Sequence, residues 1–147
     1  QKRPHPSNQI AYGKYLVNAA GCADCHTKTD KGEAIPGMDF AGGVEMNFPG
    51  AVIRTANLTP DKETGLGHWT KAAFIARFKA FDPAAGYKPH LVKPGEKQTI
   101  MPWTMYSGMS EQDLGAIYSY LQTVKPVKNK VETFTAVASA KESIAKK

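Results

Sequence analysis

Two cysteines among 147 residues is the scarcity that constrains this chain most. So few thiols exclude a multi-bridge disulfide framework, and a structural zinc site would need further ligands that only His5, His68 and His90, each standing alone, could offer. No stretch reaches the roughly 18–20 apolar residues of a membrane-spanning helix, so no integral membrane segment is expected. Internal repeats are lacking. No basic, apolar and small-residue leader stands at Gln1, so the expectation is an exported chain whose leader has been removed. Acidic residues are missing where basic ones gather. Residues 1–14 carry +3 with no acid and residues 125–147 carry +4, while the body between them carries −1. Aromatics do not interleave with these charges as on a nucleic-acid-binding face, so no nucleic acid is expected and the ends read as solvated, able to steer acidic partners. What is present, 41% hydrophobic and 22% charged residues, suits one globular domain.

The two cysteines are not scattered. They stand in Cys22-Ala23-Asp24-Cys25-His26, the Cys-x-x-Cys-His pattern of c-type haem attachment. Thiols three positions apart on a helical turn can each form a thioether to one of the two vinyl groups of a porphyrin, and the adjacent histidine is then carried under the ring as proximal ligand. A thioredoxin-type pair would sit near a βαβ pattern, which is not found, and a plain disulfide would not require the contiguous histidine. One haem c, bound through Cys22 and Cys25 with His26 on the iron, is therefore expected. Its attachment requires reduced thiols on exported apoprotein, so the periplasm or its equivalent is the expected compartment.

Along the chain, residues 1–6 form an arm, 7–126 a domain and 127–147 a lysine-rich tail that Phe134 and Val137 pin in part to the body. Ser7 or Asn8 caps a helix to about Ala20. Gly13, in mid-helix, costs about 1 kcal/mol against alanine and marks a close approach, for which the last helix is the candidate. That helix starts at Ser110, with Asp113 three positions on, and runs to about Val124, with Leu114, Ile117, Tyr118 and Leu121 at helical spacing. Thr70 caps a third helix to about Phe81. Residues 32–50 and 82–100 read as loops, Ala51–Thr55 as a short extended segment.

A low-spin electron-transfer haem needs a second axial ligand, and a thioether raises the potential relative to a second imidazole. Among Met38, Met46, Met101, Met105 and Met109, Met101 stands out: Pro102 follows it, a proline-broken loop precedes it, and the capped final helix comes just after. Met109 reads as a staple below that helix. Met105 competes, and His68 and His90 are the bis-histidine alternatives, though lone loop histidines are usually exposed.

The segments from Gly13 to Thr27, Phe40 to Gly43, Ala56 to Thr70 and Met101 to Ser110 together resemble the class I monohaem cytochromes c, and within them the cytochrome subunits and domains of periplasmic alcohol and gluconate dehydrogenases. The Asn57-Leu58-Thr59-Pro60 to Gly67-His68-Trp69-Thr70 stretch is the part specific to that subgroup. The resemblance implies an all-α class I cytochrome c fold, few helices and long loops wrapped round the haem, with His26 and Met101 as iron ligands. It further implies Asn57, Thr59 and Trp69 near the haem propionates, Tyr106 beside the methionine, and the Pro36 carbonyl accepting from the His26 ring. The activity expected is that of a monomeric, non-enzymatic periplasmic electron carrier between donor and acceptor redox proteins. The alternatives are an electron-transfer subunit of a dehydrogenase complex, or a haem enzyme or sensor with a labile distal ligand.

Overall fold

In the computed structural model, which describes residues 2–137, two helices cross at the centre of the molecule. Helix α1 (Gln9–Ala19) starts where the Asn8 side chain accepts from the Ala11 N–H at 3.2 Å. Helix α5 (Glu111–Leu121) starts at Ser110, whose hydroxyl accepts from the Asp113 N–H at 3.1 Å. The Asp113 carboxylate accepts from the Tyr12 hydroxyl, at 2.6 Å. The crossing point is Gly13, where a Cβ would lie 2.0 Å from the Ala116 carbonyl oxygen, so the close approach that glycine marks in the sequence is to α5.

Between them the chain forms α2 (Cys22–His26), strands β1 (Thr29–Asp30), β2 (Glu33–Ala34), β3 (Glu45–Phe48) and β4 (Ala51–Arg54), helix α3 (Lys71–Lys79) and the single turn α4 (Trp103–Tyr106). Strand β5 (Phe134–Ala136) follows α5. Thr70 caps α3 by accepting from the Ala73 N–H at 3.1 Å. Val17 of α1, Phe74 and Phe78 of α3, Leu114, Ile117 and Leu121 of α5, and Leu66 make the core. The helices end short of their sequence-based extents, as α5 shows where its last turn tightens into an i→i−3 bond, Thr123 N–H to Tyr120 O.

The all-α expectation needs correction. Helices dominate, but β1 and β2 pair as a small hairpin, and β3, β4 and β5 form a three-stranded antiparallel sheet in the order β3-β4-β5. The physical reason is local. Ala51 and Ile53 of β4 are buried while Val52 and Arg54 are half-exposed, the period-two pattern of a strand with one covered face. Pro49-Gly50 is turn chemistry, and it joins β3 to β4 with Phe48 opposite Ala51. The 32–50 region read as loop thus contains two of the strands, whereas 82–100 holds only a 3-10 turn at Pro83–Ala85.

The chain after residue 126 is bound to the body more extensively than two apolar anchors would require. Ile53 pairs with Phe134 and Ala51 with Ala136, and the Arg54 N–H donates to the Thr133 carbonyl. Residues 138–147, the rest of the expected tail, lie outside the described residues.

Candidate functional site

Helix α2 is about one and a half turns long, and at 3.6 residues per turn Cys22 and Cys25 fall on neighbouring positions of one face. Both are free thiols. Cys22 is half-buried and Cys25 exposed. Burial pushes the Cys22 thiol up to about 11, so it is a neutral thiol at physiological pH.

His26 ends α2 and is buried. Two chain segments frame it. Gly42 N–H donates to the His26 carbonyl at 2.7 Å, Gly43 N–H to Thr55 O at 2.8 Å and Leu58 N–H to Phe40 O at 2.8 Å, so residues 40–43 and 55–58 run together against α2. Phe40 N–H also donates to the Thr27 hydroxyl at 3.0 Å. This pairing sets the Ala56 carbonyl against the His26 ring, 2.7 Å from Nδ1. A carbonyl oxygen only accepts, so Nδ1 carries the proton and the lone pair resides on Nε2. Burial lowers the His26 pKa, outweighing the opposite pull of the Ala56 carbonyl, and the ring is neutral at pH 7. A neutral imidazole with one nitrogen pinned to backbone and the other free is the donor set of a metal-ligating histidine.

The acceptor for that ring N–H is Ala56 and not Pro36, as the resemblance implied. Pro36 lies in an exposed turn closed by the Met38 N–H to Ile35 O bond, while the pairing of 40–43 with 55–58 brings Ala56 in. Residue identity at 56 gave no sign of this role, since the backbone performs it. The one readable signal was Ala41-Gly42-Gly43: Gly42 has φ of +69°, and a Cβ there would sit 2.3 Å from the Ala56 oxygen.

Asn57 is buried with its amide fully engaged. Its Nδ2 donates to Val127 O at 2.8 Å, Asn129 O at 3.3 Å and Thr64 Oγ1 at 3.2 Å, and its Oδ1 accepts from Thr59 N–H at 2.9 Å. Thr59 Oγ1 accepts from the Val127 N–H at 3.1 Å. These two residues clasp the C-terminal segment. Trp69 is half-buried against the core, and its carbonyl accepts from the Tyr118 hydroxyl.

The distal candidates separate clearly. Met101 packs against the core cluster, whereas Met105 is 78% exposed. His68 is exposed, and His90 is exposed and paired with Glu96 at 3.1 Å. Met101 lies at a bend directly before α4, and Tyr106 of α4 donates from its hydroxyl to Ala20 O at 2.7 Å, just ahead of the attachment turn. Burial and the neighbouring Cys22, Cys25 and Asp24 raise the Tyr106 pKa, as expected of a phenol held beside that turn. On the other side Lys79 Nζ donates to Ser107 O at 2.7 Å and Met109 O at 2.6 Å, a clamp from α3 that the sequence did not reveal. Trp103 stacks on Phe81 with centroids 5.1 Å apart, and its buried Nε1 is the one such side-chain atom among the described residues without a protein acceptor.

Two unpaired thiols on one face, a pinned neutral imidazole next to them and an indole donor still open to an acceptor two residues from Met101 suit a porphyrin with vinyl groups, iron and propionates. A helical frame presenting that set is a c-type cytochrome. The chain belongs to the cytochrome c family, whose model, described as Cytochrome c, matches residues 10–125. It is 34% identical over 120 residues to the gluconate 2-dehydrogenase cytochrome c subunit of Pantoea cypripedii, covering 80% of this chain and 24% of that one. It is 33% identical over 120 residues to the cytochrome c subunit of alcohol dehydrogenase (quinone) of Gluconacetobacter polyoxogenes, covering 80% and 22%. A diheme cytochrome c-type of Cereibacter sphaeroides is 26% identical over 123 residues, covering 82% and 38%. The chain thus spans about a quarter or less of the length of its dehydrogenase-subunit relatives. The likeness to dehydrogenase cytochrome subunits read from the sequence is real, and the family is one of electron transport with covalently bound haem c.

Proposed function

We propose that this chain is a one-electron carrier with a single haem c, held by thioethers from Cys22 and Cys25, with His26 and Met101 as the axial ligands. The observation that carries this is the His26 ring: buried, neutral, pinned through Nδ1 to Ala56 O at 2.7 Å and free at Nε2, one residue after Cys25. When bound, the haem supplies an iron centre that cycles between ferric and ferrous. The protein's own part is to hold both ligands in place and exclude solvent. α2 and the 40–43/55–58 pair fix the proximal ring, while α4, Tyr106 and Lys79 fix the segment that begins at Met101. Trp69 lines the same site, and Asn57 acts one step back by holding the loop that carries Ala56. One Cys-x-x-Cys-His in the sequence supports a count of one haem. No helix among the described residues is long and apolar enough to cross a membrane. Thioether attachment supports a periplasmic site of action.

The names of its relatives favour a second reading, that the chain serves as the electron-transfer module of a dehydrogenase. Copurification with a dehydrogenase separates the two. The test of both is the optical spectrum of the purified protein. Its pigment should survive acidified organic solvent, and the ferric form should show the sulfur-to-iron charge-transfer band. Met101→Ala should abolish that band and Met105→Leu should leave it. The reverse result assigns the distal position to Met105, and a colourless protein ends the haem reading.

A further inference from the structure

The C-terminal segment holds the proximal site from outside the family's common domain. The family match stops at residue 125, yet residues 127–137 cross behind the frame that carries His26. Asn129 is the centre of this strap. Its side-chain Nδ2 donates to Ala41 O at 2.9 Å, on the arm that contains Gly42. Its backbone carbonyl accepts from Asn57 Nδ2 at 3.3 Å, on the arm that contains Ala56. Its backbone N–H donates to Thr64 Oγ1 at 2.9 Å. One residue therefore ties together the two arms whose spacing decides how closely the Ala56 carbonyl approaches the His26 ring.

We propose that Asn129 is a positioning residue that sets the strength of the His26 Nδ1–H to Ala56 O hydrogen bond and, through it, the reduction potential of the iron. This rests on the haem reading above. A strong bond at Nδ1 makes the imidazole a better donor and favours ferric iron. Slackening the frame weakens that bond, and the potential rises. The sign is diagnostic. A merely structural loss that let water in would favour the charged ferric state and lower the potential.

The experiment uses the full chain with its haem. Asn129→Ala, and the uncharged, near-isosteric Asn129→Leu in case the first folds poorly, remove the donor to Ala41. Arg54→Gln is the control: it loosens the far end of the strap, where Arg54 Nη1 donates to Glu132 O at 3.2 Å and Thr135 Oγ1 at 2.9 Å, without removing the Asn129 bonds. Spectroelectrochemistry should show a higher midpoint potential in the Asn129 variants and no change in Arg54→Gln. The His26 Nδ1–H signal should exchange with deuterium on the order of five-fold faster, as expected from losing one such hydrogen bond. An unchanged or lowered potential in haem-loaded Asn129 variants overturns the proposal. A wild-type protein that carries no haem overturns the functional reading instead.

Discussion

Gly42→Ala concentrates the reasoning about the proximal frame into one methyl group. At φ of +69° an L side chain is strained by about 1–2 kcal/mol. The added Cβ would also lie 2.3 Å from the Ala56 oxygen and 2.5 Å from its carbon. Both are backbone atoms that cannot swing aside, so overpacking adds about 1–3 kcal/mol. Gly86→Ala is the matched comparison, since Gly86 also has positive φ, +96°, but nothing lies within 4 Å of where its Cβ would stand. There only the strain remains, and in both variants the reduced freedom of the unfolded chain offsets about 0.4–1 kcal/mol. At about 3 °C per kcal/mol for a chain of this size, Gly42→Ala should lower the melting temperature by about 3–14 °C and Gly86→Ala by about 5 °C or less. Thermal unfolding followed by circular dichroism measures both. The displaced Ala56 carbonyl should also shift the redox midpoint in Gly42→Ala alone. Equal losses in the two variants would refute the claim that contact with Ala56, and not backbone strain, makes Gly42 necessary.

Two further outcomes follow from the contacts around the helices. Tyr12→Phe removes the 2.6 Å bond to Asp113 and should cost about 1–2 kcal/mol in urea unfolding at pH 7. Partial burial pushes the Asp113 carboxyl up, but the bonds from Tyr12 and Ser110 outweigh it and hold its pKa low, so its contribution is full above the unfolded value of about 3.9 and is lost as pH falls through the folded one. The stability gap between wild type and Tyr12→Phe should therefore narrow below about pH 4, and a gap constant to about pH 2 contradicts the account. Lys79→Met leaves the Ser107 and Met109 carbonyls without their charged donor and should cost about 1.5–3 kcal/mol. Carbon monoxide should bind this variant's ferrous form faster than wild type, because the Met101 segment is less firmly held; unchanged binding kinetics would show that the clamp stabilises the fold only.

The sequence was most legible where side chains alone determine the outcome. The three long helices announced themselves by cap and spacing at Asn8, Thr70 and Ser110, and Gly13 announced the crossing. Cys22, Cys25 and His26 were readable as a site because thioether and imidazole chemistry need those residue types at that spacing. Among the strands, β4 was legible as the extended segment Ala51–Thr55, while β1, β2 and β3 were hidden for the opposite reason. These three strands expose most of their residues, so no apolar run marks them, and the Pro49-Gly50 hairpin turn shares its residue types with loops. Ala56 was hidden more deeply: its carbonyl matters and its side chain does not, so only the close-packed Gly42 across from it carried a trace of the role. The resemblance implied Asn57 near the haem propionates; its amide bonds Thr59, Thr64, Val127 and Asn129, a set of long-range contacts that no local pattern announces.

The C-terminal segment shows why charge was the wrong guide to its placement. Lys125, Lys128 and Lys130 made it read as a solvated end, and the one ion pair it forms among the described residues, Lys128 with Glu63, joins groups that are both 70% exposed. A pair in that setting contributes at most about 1 kcal/mol, and salt screens it. The segment is held instead by hydrogen bonds to Asn57 and Thr59, which are 4% and 0% exposed, and by the ladder to β4. A buried amide left unpaired costs about 1–3 kcal/mol, so Asn57 and Thr59 demand partners, and the backbone at Val127 and Asn129 supplies them. The polar residues of the Asn57 loop therefore dictate where the chain goes after α5. The lysines face outward because that path leaves them there.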